Sequence, residues 1–186
     1  MRACSATRSA GDCRRPASLS AVGSAVLCPD YDASVSTTRV TTVIAAPRDR
    51  VYAALLDPEA VGRWKVPAGM TCVVHEFDAR EGGALRISLT YDAEDRVGKT
   101  TGRTDTYRGR FVRLVPGELV VEADAFESAD ATLGGEMVST IRLRDVAGGT
   151  ELEAVHEGVP DAVDPALNEL GWRESLERLA RLVEAS

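Results

Sequence analysis

The chain has 186 residues, 44% of them apolar and 27% charged, with 22 basic residues against 29 acidic ones and a formal net charge of −7. That size and balance suit one globular domain with a tail, and they exclude collagen-like, coiled-coil and wholly disordered classes. No apolar run has the length of a membrane-crossing helix, and an acidic chain is a poor nucleic-acid binder, so neither a membrane span nor a nucleic-acid partner is expected.

Residues 1–36 are rich in Ala, Ser, Gly and Cys and show no sustained period. They read as a disordered N-terminal extension ahead of a domain over 37–186. A signal peptide fits them badly. The mild apolar stretch over 19–27 is broken by Ser20, Gly23 and Ser24, and Leu27 stands where a lipoprotein site wants a small residue before Cys28. The four cysteines, Cys4, Cys13, Cys28 and Cys72, match neither a zinc pattern nor a compact disulfide framework. A reducing cytoplasm is therefore the expected location, with no metal and no cofactor. The basic residues are Arg apart from Lys65 and Lys99, and with the many Ala, Val and Gly this suggests a GC-rich bacterial genome.

From Thr38 the periodicities are clear. A β-branched run over 38–46 predicts a strand. Pro47 opens a helix whose apolar face carries Val51, Tyr52, Leu55 and Leu56. Asp57-Pro58 ends it, and a second short helix runs from Pro58 to Trp64. Six strands follow, at about 70–80, 83–91, 104–115, 118–126, 136–145 and 149–158, with turns at Gly82-Gly83, Pro116-Gly117 and Gly148-Gly149. Such short connections leave no room for crossover helices, so the sheet is expected to be antiparallel. The polar segment 92–103 reads as a long hairpin loop. A final helix over 164–185 is capped by Asp164-Pro165 and carries Trp172, Leu176, Leu179 and Val183 on one face. Leu167 and Leu170 lie off that stripe, which predicts a kink near Gly171 or a first turn packed elsewhere. The fold class is α+β: a curved seven-stranded antiparallel sheet wrapped around a long C-terminal helix, with two short helices after the first strand.

At this point the residues resemble a known family. The pattern runs from Val40 to Glu184 through TTVIAAPRDRVYAALLDPEAVGRW, FDAREGG, YRGRFVRLVPGELVVEA, GGTELEAVHEGVP and Gly171-Trp172. It is similar to the START-like helix-grip superfamily (SRPBCC), in the branch named after the C-terminal domain of the activator of the heat-shock ninety ATPase. The resemblance implies a hydrophobic small molecule bound between sheet and helix. It also leaves open a polyketide cyclase or dehydratase and a co-chaperone-type interaction module, although a single domain is expected here, without the additional N-terminal domain of the eukaryotic activators. A homodimer stays open.

Strand alternation proposes the wall of the binding site. Val73, His75 and Phe77 share one face of their strand. Leu85, Ile87, Leu89 and Tyr91 share another. Leu152, Ala154 and His156 share a third. The candidate ligand-binding residues are Trp64, His75, Phe77, Tyr91, Tyr107, His156 and Trp172, with the two imidazoles as polar anchors or, in an enzyme, as general acid or base. Ser139 could join them. No catalytic residue is assigned. The carboxylate pairs Glu76–Asp78 and Glu122–Asp124 are expected to face solvent, and the basic run Arg108, Arg110 and Arg113 to be balanced by neighbouring acids. Gly98-Lys99-Thr100 echoes the end of a phosphate-binding loop, but Ala93 occupies its first glycine position and a hairpin follows instead of a helix.

Overall fold

The computed structural model of the chain describes residues 36–185. The expected extension over 1–36 therefore lies outside the described residues except for Ser36, as do Cys4, Cys13 and Cys28. Strand β1 (Ser36–Ile44) leads into helices α1 (Arg48–Leu55) and α2 (Pro58–Trp64). Strands β2 (Met70–Phe77), β3 (Ala84–Tyr91), β4 (Thr104–Val115), β5 (Leu119–Phe126), β6 (Met137–Val146) and β7 (Gly149–Val159) follow, and helix α3 (Pro165–Glu184) closes the chain. A 3-10 turn at Ala131–Leu133, absent from the sequence expectation, interrupts the β5–β6 connection.

All seven strands lie in one antiparallel sheet, in the order β1-β7-β6-β5-β4-β3-β2. Hairpins join β2 to β7 in sequence, and β1 returns to pair with β7, which leaves β1 and β2 as the two edges. The register places the even residues of β1 and β7 and the odd residues of β6 on one face, continuing to Val120, Glu122 and Asp124 of β5. That inner face packs against α3, whose Leu176, Leu179 and Val183 join Val40, Ile44, Ile141, Leu152 and Phe111 in one core. Burying each such aliphatic side chain stabilises the fold by roughly 1.5–3 kcal/mol.

Helix α3 starts where the sequence places its cap: the Asp164 carboxylate accepts the Ala166 N–H at 2.8 Å. It runs as one helix through Gly171, and Leu167 and Leu170 are exposed rather than packed elsewhere. Trp64 ends α2 as a core anchor. It is 1% exposed, and its indole N–H donates to the Ala54 carbonyl at 3.0 Å, tying α2 to α1.

Candidate functional site

Five strands, the residue after α2 and helix α3 bring polar groups to the inner face. One rung of the sheet runs through Thr38, His156, Ser139, Glu122 and Phe111, each paired with the next across adjacent strands. Asp124 stands one step along from Glu122, opposite Gly109. Glu122 and Asp124 are thus buried, against the expectation that they face solvent. The neighbours Val121, Ala123 and Ala125 are apolar enough to suggest an inward face of their own, and nothing in the strand itself tells which face the helix covers.

Lys65, the residue after α2, reaches down to Glu122, and both are buried. Its ammonium also lies 6.0 Å from the centre of the Tyr107 ring. At the other end of the face Lys99 pairs with buried Asp105 and lies 5.6 Å from the Phe126 ring. Burial, opposed by the Lys65 charge and reinforced by Glu122 and Glu136, pushes the Asp124 carboxyl up to about 7. Burial next to Asp124 and Glu122 also holds the Tyr107 hydroxyl well above its ordinary value. Cys72, with its thiol pushed up to about 11 by burial, stays protonated near neutral pH.

His156 sits beneath α3. Its Nδ1 accepts from the Trp172 indole N–H at 3.2 Å and is 3.1 Å from the Asn168 amide nitrogen, which also donates to the Thr38 hydroxyl at 2.9 Å. An indole N–H only donates, so Nδ1 is unprotonated and the neutral ring carries its proton on Nε2. Burial lowers the imidazole to about 4, outweighing the Asn168 hydrogen bond that raises it. Four polar groups on this face have no hydrogen-bond partner among the described residues: the Tyr107 hydroxyl, the Asp124 carboxyl, the Ser139 hydroxyl and His156 Nε2.

The other expected wall residues divide. Phe77 faces inward and stacks edge-on against Phe111, with ring centres 5.2 Å apart. Tyr91 ends β3 opposite Met70, half-buried, with the Arg96 guanidinium 5.9 Å from its ring. His75 does not face the site. The β2–β3 register shifts between Val74 and Glu76, so His75 is an extra, bulged residue. Cys72, Val74 and Phe77 turn inward, while Val73, His75 and Glu76 turn out. On the outer face His75 Nε2 meets the Ser88 hydroxyl at 2.8 Å, which in turn meets the Thr106 hydroxyl at 2.8 Å. Trp64 lies in the core rather than on the wall of the site. A groove of about 550 Å³ crosses the outer face of β3–β5, flanked by two ion pairs, Arg86–Glu127 at 2.8 Å and Arg110–Glu136 at 2.6 Å. Among the described residues no cluster of His, Cys, Asp and Glu is arranged to hold a metal.

Lys65, Glu122 and Asp124 are the residues that sequence reasoning missed. One signal for them was present. Lys65 and Lys99 are the only lysines of an Arg-rich chain, and each is paired with a buried carboxylate.

An antiparallel sheet gripping one C-terminal helix over a face that mixes core and polar groups is the helix-grip fold of the START-like superfamily. Within it, the chain belongs to the Activator of Hsp90 ATPase homolog 1-like family, whose pattern matches residues 45–184. A crystal structure of a protein from Chromobacterium violaceum is 42% identical, with 80% of this chain and 96% of that chain covered and a TM-score of 0.72. A protein from Rhodobacter sphaeroides is 23% identical, with 81% and 93% covered and a TM-score of 0.66. An AHSA1-like protein from Aeromonas hydrophila is 16% identical, with 81% and 93% covered and a TM-score of 0.61. The last two share the fold alone. No curated protein matches the chain. No helix of the described residues is long and apolar enough to cross a membrane.

Proposed function

We propose that the protein binds a small molecule with a mostly apolar body between the inner sheet face and α3. The observation that carries this reading is the set of four polar groups, on the largely buried residues Tyr107, Asp124, Ser139 and His156, that have no protein hydrogen-bond partner and keep some accessible surface on one face. Four such groups gathered on one mostly apolar face offer hydrogen bonds to an occupant, each worth about 0.5–1.5 kcal/mol. The half-buried Phe77, Leu89 and Phe126 supply apolar surface nearby. Trp172 and Asn168 fix His156 as an Nε2–H donor, suited to a carbonyl, hydroxyl or ether oxygen.

A second reading is an acid–base catalyst of the cyclase or dehydratase kind. Asp124 favours it, since a carboxyl at about 7 both gives and takes a proton near neutral pH. Native mass spectrometry of protein purified from its own host tests the binding reading. A retained small molecule, lost in His156→Phe or Tyr107→Phe, is the expected result. Bare protein that also fails to take up an apolar fluorophore overturns it. Turnover of the retained molecule, abolished in Asp124→Asn, would establish the catalytic reading instead.

A further inference from the structure

We propose that the polar end of the bound molecule is an amine, held as an ammonium by the Asp124 carboxylate on the inner face; this rests on the binding reading above. Three carboxylates are buried among the described residues: Asp105, Glu122 and Asp124. Lys99 pairs with Asp105 and Lys65 with Glu122. Asp124 alone has no cation bonded to it.

The inner face also shows how it treats an ammonium. Each resident lysine meets a carboxylate and lies about one ring-contact distance from an aromatic: Lys65 over Tyr107 and Lys99 over Phe126. Asp124 acts on the same aromatic residue: its charge helps to hold the Tyr107 hydroxyl above its ordinary value, and that hydroxyl has no hydrogen-bond partner. The groups facing Asp124 are Lys65 after α2, Glu122 on its own strand, Tyr107 on β4 and Glu136 ahead of β6. Cys72 on β2 and His156 on β7 complete the titratable set, the thiol protonated and the imidazole neutral. The nearest cation is already bonded to Glu122, and Glu136 is bonded to Arg110. The local balance therefore favours an incoming positive charge over a carboxylate ligand. Gly109 lets β4 come close to β5 beside Asp124: a Cβ there would stand 2.2 Å from the Ala123 carbonyl oxygen and 2.6 Å from the Asp124 Cβ.

The probes are 1-naphthylmethylamine, 1-naphthalenemethanol and 1-naphthoic acid, with n-hexylamine, n-hexanol and hexanoic acid as slimmer counterparts. Calorimetric titration of the full chain at about pH 6, 7 and 8 should rank amine over alcohol over acid. The amine should bind about tenfold more tightly than the alcohol at about pH 8, the worth of one charge-assisted hydrogen bond. Its affinity should rise about tenfold from about pH 6 to about pH 8 as Asp124 ionises. Asp124→Asn should remove both the preference and the rise. If that variant fails to fold, the pH profile of the unmodified protein decides: an amine affinity that stays flat from about pH 6 to about pH 8 overturns the assignment. Alcohol or acid binding as tightly as the amine, or an amine preference that survives Asp124→Asn, overturns the amine assignment and leaves the binding reading standing. Failure of all six probes to bind overturns both.

Discussion

The two faces of the sheet carry one histidine each, and the surroundings of the two rings differ in kind. His75 meets hydroxyls on the outer face, Ser88 and then Thr106, which rotate to suit either tautomer. His156 meets an indole N–H and an amide, which fix one tautomer and one ring orientation. The same contrast runs through the charges. Outer-face arginines pair across strands with Glu127, Glu136 and Glu151, half-exposed and screened. Inner-face charges are few and buried, and one of them lacks a bonded partner. Many cheap charges outside and a few costly ones inside mark the inner face as the one whose chemistry is maintained against its cost to stability.

Four changes test that contrast, from the largest effect to the smallest. Lys65→Met leaves Glu122 buried without its cation and should cost about 3–5 kcal/mol in chemical denaturation, while Lys65→Met with Glu122→Leu should recover most of the loss. Equal losses in the single and double variants would mean that the pair acts by packing alone.

The Asp124 carboxyl is raised to about 7, so its protonated form is favoured by folding. Its contribution is fully present below the unfolded value and is lost as pH rises through about 7. Asp124→Asn should therefore stabilise the protein by about 2–4 kcal/mol at about pH 8, by about half as much or less at about pH 5, and hardly at all below about pH 4. His156 works in the opposite direction: with its imidazole lowered from 6.5 to about 4, stability falls as pH drops through that window. Melting curves against pH should thus be flatter between about pH 4 and 6.5 in the unmodified chain than in Asp124→Asn.

Trp172→Phe keeps an aromatic ring and removes the N–H to His156 Nδ1. It should cost about 1–2 kcal/mol and raise the imidazole towards its ordinary value, read by NMR titration of the ring protons. Arg110→Ala, on the outer face, should change stability by less than about 0.5 kcal/mol. A loss as large as that of Lys65→Met would erase the distinction between the faces.

The fold was legible because each strand alternates between marked turns and the last helix carries a clean apolar stripe. Strand and helix bounds fall within a few residues of those expected, and β4 runs as read. The faces of β3 and β7 followed from the same alternation. Those of β2 and β5 did not. In β2 alternation holds only up to the bulge, and nothing in Val74-His75-Glu76 announces an extra residue. In β5 both alternating sets mix apolar and polar residues, so counting hydrophobics could not decide the side. What buries Glu122 is Lys65, 57 positions away, a pairing that only the tertiary fold creates.

The bulge at His75 has a bearing on assembly. Strand β2 is an edge of the open sheet, where unpaired backbone groups offer a template to any extended chain that comes alongside. A bulge breaks the even spacing of those groups and twists the strand locally, so a second chain would lose its register halfway along. The opposite edge has its irregularity near its start, between Ser36 and Thr38, and is uninterrupted from there to Ile44. Growth of the sheet by strand addition is accordingly guarded at β2 and left to β1, where Thr37, Arg39, Thr41 and Val43 meet solvent.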